Sequence, residues 1–194
     1  MNKNIHNYLY PITITYFLLG LVNIHFAFLG FVCMITPFYL LFKDTKKTWC
    51  QRYCPRSSLF VKLFKNSPFS FPTPKFMATG NGKWFMLAYF LFSLSTIAIS
   101  TIKVANGAMP NTNIVFLNLI TIPFPLPQLV AIESTPWLLH LAYRLYSMMT
   151  TMTILGFILA FFFKPRTWCT ICPVSTLSGV YINYRKDHPA CNKA

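Results

Sequence analysis

Apolar residues run nearly unbroken from Tyr8 to Phe42, a stretch of about 35 positions, whereas one spanning helix needs about 20. Near its middle stand Gly20, Asn23, His25 and Gly30, the small and polar residues of a turn. The pattern predicts two short helices, about 9–23 and 26–42, forming a hairpin, with Pro37 kinking the second. One over-long helix is the alternative. Trp84–Val104 reads as a clean span, and Trp137–Phe163 as the last one. Between them, Ile114–Glu133 is apolar but broken by Pro123, Pro125 and Pro127. Irregular backbone is too costly in hydrocarbon for such a segment to cross, so it is expected along the outer interface.

The expected fold is an all-α integral membrane protein of about four transmembrane helices in two hairpins. It forms one membrane domain over 1–194, with half-repeats at about 8–65 and 84–185. A basic surface loop is expected at 56–83, starting as an amphipathic helix, and an outer interfacial segment at 105–136.

Composition sharpens this picture. Of the 194 residues, 55% are hydrophobic and 10% charged, against about 25% charged in soluble domains. The net charge of +14 would suit a nucleic acid, but its placement argues otherwise. Nine of the 17 cations fall between Lys43 and Lys83 and five between Lys164 and Lys193. Cations gathered in the loops of one side follow the positive-inside rule, and they attract anionic lipid headgroups. The expected location is the bacterial cytoplasmic (inner) membrane, multi-pass, with both termini on the cytoplasmic side. Membrane lipids are expected neighbours and nucleic acid is not.

Each predicted hairpin ends in nearly the same words. The first is Lys47-Thr48-Trp49-Cys50-Gln51-Arg52-Tyr53-Cys54-Pro55-Arg56-Ser57, the second Arg166-Thr167-Trp168-Cys169-Thr170-Ile171-Cys172-Pro173-Val174-Ser175. An internal repeat of this kind predicts a pseudo-twofold bundle with both cysteine pairs at its cytoplasmic mouth. Disulfides rarely persist in that compartment. Four thiolates from Cys50, Cys54, Cys169 and Cys172 suit a structural zinc or an iron–sulfur cluster equally by count, and free or redox-active thiols are a third reading. A zinc staple has less to do where a bundle already supplies the core, and Cys-Pro ends the bacterial ferredoxin ligand run. Covalent haem needs His after the second Cys, where Pro stands both times. Pro55 and Pro173 fit the first turn of a following helix, whose N–H groups would face the sulfurs. Trp49, Arg52, Arg56, Arg166 and Trp168 complete the surroundings, the arginines adding charge that favours an anionic centre.

Other candidates weigh less. Cys33 reads as a packing residue, and Cys191 as a tail thiol. His25 and His140 do not sit opposed at mid-membrane as b-type haem ligands would. Met148, Met149 and Met152 read as packing rather than a copper path. His140 and Arg144 lie one turn apart on one helix face, and an intramembrane Arg points to function by default. They offer donors for a quinone carbonyl near the outer face. The opposing view is that Arg144 snorkels or pairs with Glu133. The three acids, Asp44, Glu133 and Asp187, are isolated, so no acid–base pair is expected.

With these motifs, the chain resembles the membrane-bound 4Fe-4S proteins of the NapH/NosR type, which carry twin Cys-x-x-x-Cys-Pro motifs. Cys50, Cys54 and Pro55 match that pattern; Cys169, Cys172 and Pro173 match with one residue fewer between the thiols. Many members add a soluble ferredoxin domain with two further four-cysteine runs, which these 194 residues do not contain, so a minimal membrane core is the expectation. The resemblance implies a 4Fe-4S cluster passing electrons between the quinol pool and a partner redox protein or maturation system. That makes a redox subunit rather than a stand-alone enzyme. A metal-stapled membrane scaffold without electron cycling is the alternative function.

Overall fold

The computed structural model describes residues 8–44, 49–64, 71–74, 80–108, 115–116, 120–121 and 135–187. Both termini, Cys191, Glu133 and most of the expected outer segment lie outside them. The described chain is mostly helical, with a two-residue antiparallel ladder pairing β1 (Val115–Phe116) with β2 (Ile120–Thr121). Among the described residues, three helices are long and apolar enough to cross a membrane: Ile24–Asp44, Asn81–Ala105 and Pro136–Phe162.

The first apolar run is interrupted where its polar residues fall. Helix α1 (Tyr10–Val22) stops at Asn23, whose backbone is extended at φ −152° and ψ 126°. The Asn23 side chain then accepts the backbone N–H of His25 at 2.9 Å, capping a 3-10 turn over Ile24–Phe28. Helix α2 (Leu29–Asp44) follows directly and contains Pro37. A single continuous helix over this run is thereby excluded. The turn is a packed joint. Ile24 and Ala27 are fully buried with Ala142 and Tyr146, and the Tyr146 hydroxyl donates to the Phe17 carbonyl at 3.2 Å. Gly20 permits this approach, since a Cβ there would collide with the Tyr146 ring.

Helix α3 (Pro55–Leu63) starts immediately after Cys54 and buries Ser57, Ser58, Leu59 and Phe60. Its Lys62 ammonium lies 3.7 Å from the centroid of the Tyr10 ring on α1. Helices α4 (Asn81–Ala105) and α5 (Pro136–Phe162) run the length of the bundle and pack along one another. Short α6 (Thr167–Ile171) and then α7 (Pro173–Asp187) complete the chain.

The contacts repeat between the halves. Helix α3 packs on α1, the first helix of its own half, and on α5, the second helix of the other. Likewise α7 packs on α4 of its own half and on α2 of the other, where Tyr181 meets Phe42 edge to face at 5.2 Å. Phe60, Trp168, Met148, Met152, Leu159 and Ala160 form the main core below the motifs. Outward, Leu91, Phe92, Ile99, Ile102, Phe157 and Ile158 are exposed along α4 and α5, an apolar surface suited to lipid rather than water.

Candidate metal centre

The two cysteine motifs fold into matching local structures. In each, the N–H of the second Cys returns to the carbonyl of the motif Trp: Cys54 to Trp49 at 3.0 Å and Cys172 to Trp168 at 2.9 Å. In each, the carbonyl of that Cys accepts the N–H four residues on, from Ser58 and from Thr176. Both cysteines hold extended ψ angles, 107° and 129°, immediately before a proline that opens a helix. The spacing differs by one residue, and the backbone absorbs it. Trp49–Tyr53 is a π turn, closed over five residues, whereas Thr167–Ile171 is an α turn, closed over four.

These turns bring thiols from the two halves together. The Cys169 Sγ lies 3.4 Å from the Ser57 hydroxyl on α3, across 112 positions of sequence. The Ser57 N–H in turn points at the Cys54 sulfur, and the N–H groups of Val174 and Ser175 point at that of Cys172. Helix N-termini therefore serve one thiol of each pair, as their unpaired donors and positive dipole ends allow. Burial is the larger influence. It pushes Cys54 from the ordinary 9.0 up to about 12, with neighbouring Cys172 and Cys169 pushing the same way against Ser57 and Arg56. Burial raises Cys172 as well. Both thiols are thus held protonated while no metal is bound.

Cys50 lies within the π turn, partly buried. Among the described residues, no three His, Cys, Asp or Glu side chains are grouped so as to hold an ion. An ion held by all four thiols would need them closer to a common centre than the structure places them. Their chemistry suits a soft, thiolate-bound metal: sulfur ligands, N–H donors aimed at them, and Arg56 close by.

The remaining residues divide by environment. Trp168 is buried against Phe60 and Gly156, and Pro173, next to Cys172, is buried as well. Arg52 and Arg166 are exposed, as cations facing water should be. Trp49, Pro55 and Arg56 instead line a cavity of about 560 Å³ reaching between α1 and α2. A second cavity of about 450 Å³, more polar, touches Cys169, Ser175 and Lys83 on the other side. Sequence reasoning missed Ser57 as the inter-half contact, although a Ser follows the Cys-Pro in both motifs.

His140 and Arg144 lie on α5, away from the thiols. His140 is buried, its Nε2 3.2 Å from the Ser100 hydroxyl of α4. Arg144 Nε and Nη1 are buried with no hydrogen-bond partner. Neither residue lines the two cavities described.

No family model matches this chain, and neither a curated protein nor a solved structure does.

Proposed function

We propose that this is a membrane iron–sulfur protein of the NapH/NosR type, carrying electrons between the quinol pool and a partner redox protein or maturation system. In this reading Cys50, Cys54, Cys169 and Cys172 hold one 4Fe-4S cluster. The observation that carries the reading is the approach of Cys169 to Ser57, which unites the two motifs in space.

A 4Fe-4S cluster supplies one-electron chemistry. The protein's share is to gather and neutralise the sulfurs. Ser57, Val174 and Ser175 supply N–H donors, and Arg56 supplies positive charge. Hydrogen bonds and charge of this kind raise a cluster's potential. Cys169 borders the polar cavity, while Trp49 and Pro55, the sequence neighbours of Cys50 and Cys54, border the apolar one, an arrangement suited to a lipid-side donor and a water-side acceptor.

Finer topology belongs to the same proposal. Four membrane helices form two hairpins in the bacterial inner membrane, α1 with α2 and α4 with α5, and both cysteine motifs face the cytoplasm. Tyr10 against Lys62 and Phe42 against Tyr181 support it, since both free ends of the first pair meet a helix that follows a motif. The reciprocal packing of α3 and α7 supports the pseudo-twofold repeat.

The test is anaerobic purification followed by iron, sulfide and zinc assays with EPR. About four irons and four sulfides per chain, with a visible band that dithionite bleaches, is the expected result. A colourless protein with stoichiometric zinc overturns electron transfer in favour of the metal-stapled scaffold.

A further inference from the structure

Trp49 and Trp168 occupy the same place in the two motifs, yet their surroundings differ. Trp168 is sealed against Phe60 and Gly156 in the core, whereas Trp49 borders the cavity of about 560 Å³. That volume falls in the range of small-molecule sites, about 300–1,000 Å³. Where one half is filled by its own side chains, the other leaves room for a guest.

The wall states what the guest must be. The wall is mostly apolar, with Tyr16, Phe17, Trp49 and Tyr53 offering rings and Thr13, Thr15 and Thr36 adding hydroxyls. Ile12, Leu29 and Val32 belong to the wall and are 55%, 47% and 60% exposed, so the cavity opens sideways onto the apolar surface. A ligand enters from the bilayer. Among the described residues of the wall, Arg56 at the motif end is the one that carries a charge. Its Nη2 meets the Met149 thioether at 2.7 Å, a weak acceptor that leaves most of the guanidinium's donor capacity unused. A carbonyl oxygen fits there. A phosphate monoester does not, because one cation against a desolvated dianion leaves buried charge uncompensated. A lipid phosphodiester carries a single charge and is the competing occupant; the aromatic rings in the same wall favour a flat, carbonyl-bearing ring over it. Arg56 is also the cation that acts on the Cys54 and Cys172 thiols, so a head group bound to it sits beside the sulfurs.

The geometry points to the α1–α2 cavity as the binding site of a lipid-soluble quinone, its ring between Trp49 and Tyr16 and one carbonyl on Arg56. This deepens the proposed function by moving the quinone site from His140 and Arg144 to the motif end, and it rests on that reading. Those two residues then serve another role: His140 bonds Ser100 across the α4–α5 contact.

Cys33 lines the same cavity and supplies the reporter. The full chain, purified in detergent, is treated with a membrane-permeant maleimide, and alkylation at Cys33 is followed by peptide mass spectrometry. Decylubiquinone, whose ring is fully substituted and does not add thiols, slows Cys33 alkylation several-fold, while phosphatidylglycerol at equal concentration does not. Arg56→Gln abolishes the protection. A cavity-filling Cys33→Phe, read by the quinone retained after desalting, binds several-fold less. Equal protection by phosphatidylglycerol makes the cavity a lipid site and overturns the inference. So does absence of protection by decylubiquinone, or undiminished retention in Cys33→Phe. Iron and sulfide measured on the same samples separate the outcomes: loss of quinone protection with a full cluster sinks this site alone, whereas a metal-free protein sinks the electron-transfer reading.

Discussion

Cys54 concentrates the energetic conflict at the site. A sulfur that must become a thiolate to bind metal is buried deeply enough to lift its titration to about 12. Under the proposed function, loading would expel protons and occupancy would grow with pH. For the metal-free protein the sign is opposite. A raised thiol value favours the neutral folded form, so that stabilisation is complete below the ordinary 9.0 and is lost as pH climbs toward about 12. Alkylation of Cys54 in chelator-treated protein is expected to stay slow at pH 9.0 and to accelerate only near pH 12. A normal rate profile there would mean that the thiol is not enclosed. Cys54→Ser and Cys169→Ser test the shared centre: each is expected to lose all iron, not half. Full iron content in Cys169→Ser would separate the motifs into two sites. These thiols were legible in the sequence because spacing and a trailing proline mark them. Ser57 was not, because nothing local reveals which distant sulfur a hydroxyl will meet.

Two elements carry the packing that makes the meeting possible. Helix α3 reaches α5 only because Gly156 has no side chain: a Cβ there would stand 2.7 Å from the Phe60 ring and 3.2 Å from Trp168. Gly156→Ala must displace two enclosed aromatics, and overpacking of this kind costs about 1–3 kcal/mol. The expected result is a lower unfolding temperature in detergent with reduced iron content; an unchanged midpoint would mean that α3 sits further away. The other element is the π turn at Trp49–Tyr53. It widens to house one more residue than α6 does. Deleting Gln51 converts it to an α turn of the second motif's length, and iron content is expected to survive. Complete loss would show that the wide turn itself positions Cys50. Helix boundaries were read closely from hydropathy because lipid demands long apolar runs. The observed Asn81–Ala105 and Pro136–Phe162 each lie within three residues of the expected limits. The break at Asn23 was also legible, since polar groups cluster there. The β1–β2 ladder was not, because two-residue strands leave no periodic trace.

At the scale of the molecule, charge and hydropathy point the same way. Cations cluster beside the motif ends of the helices, and long exposed apolar faces lie between. Orientation is tested by fusions: alkaline phosphatase placed after Gly107 is expected to be active, and after the last residue inactive, with a fluorescent protein giving the reverse. Strong phosphatase activity at the carboxyl end would invert the arrangement. Among the described residues three helices rather than four are long and apolar enough to cross, because α1 has only 13 residues and covers about 20 Å of a hydrocarbon layer about 30 Å thick. Hydropathy counts apolar residues, and it does not register that Asn23 divides 35 of them unequally.

The reciprocal packing of α3 and α7 has one more consequence. Because each reaches over to grip a helix of the opposite half, neither half owns a finished interior. Cut between α3 and α4 and produced together, the two pieces have every reason to find one another in the bilayer, as a dimer of unequal partners that happens to be encoded as one chain.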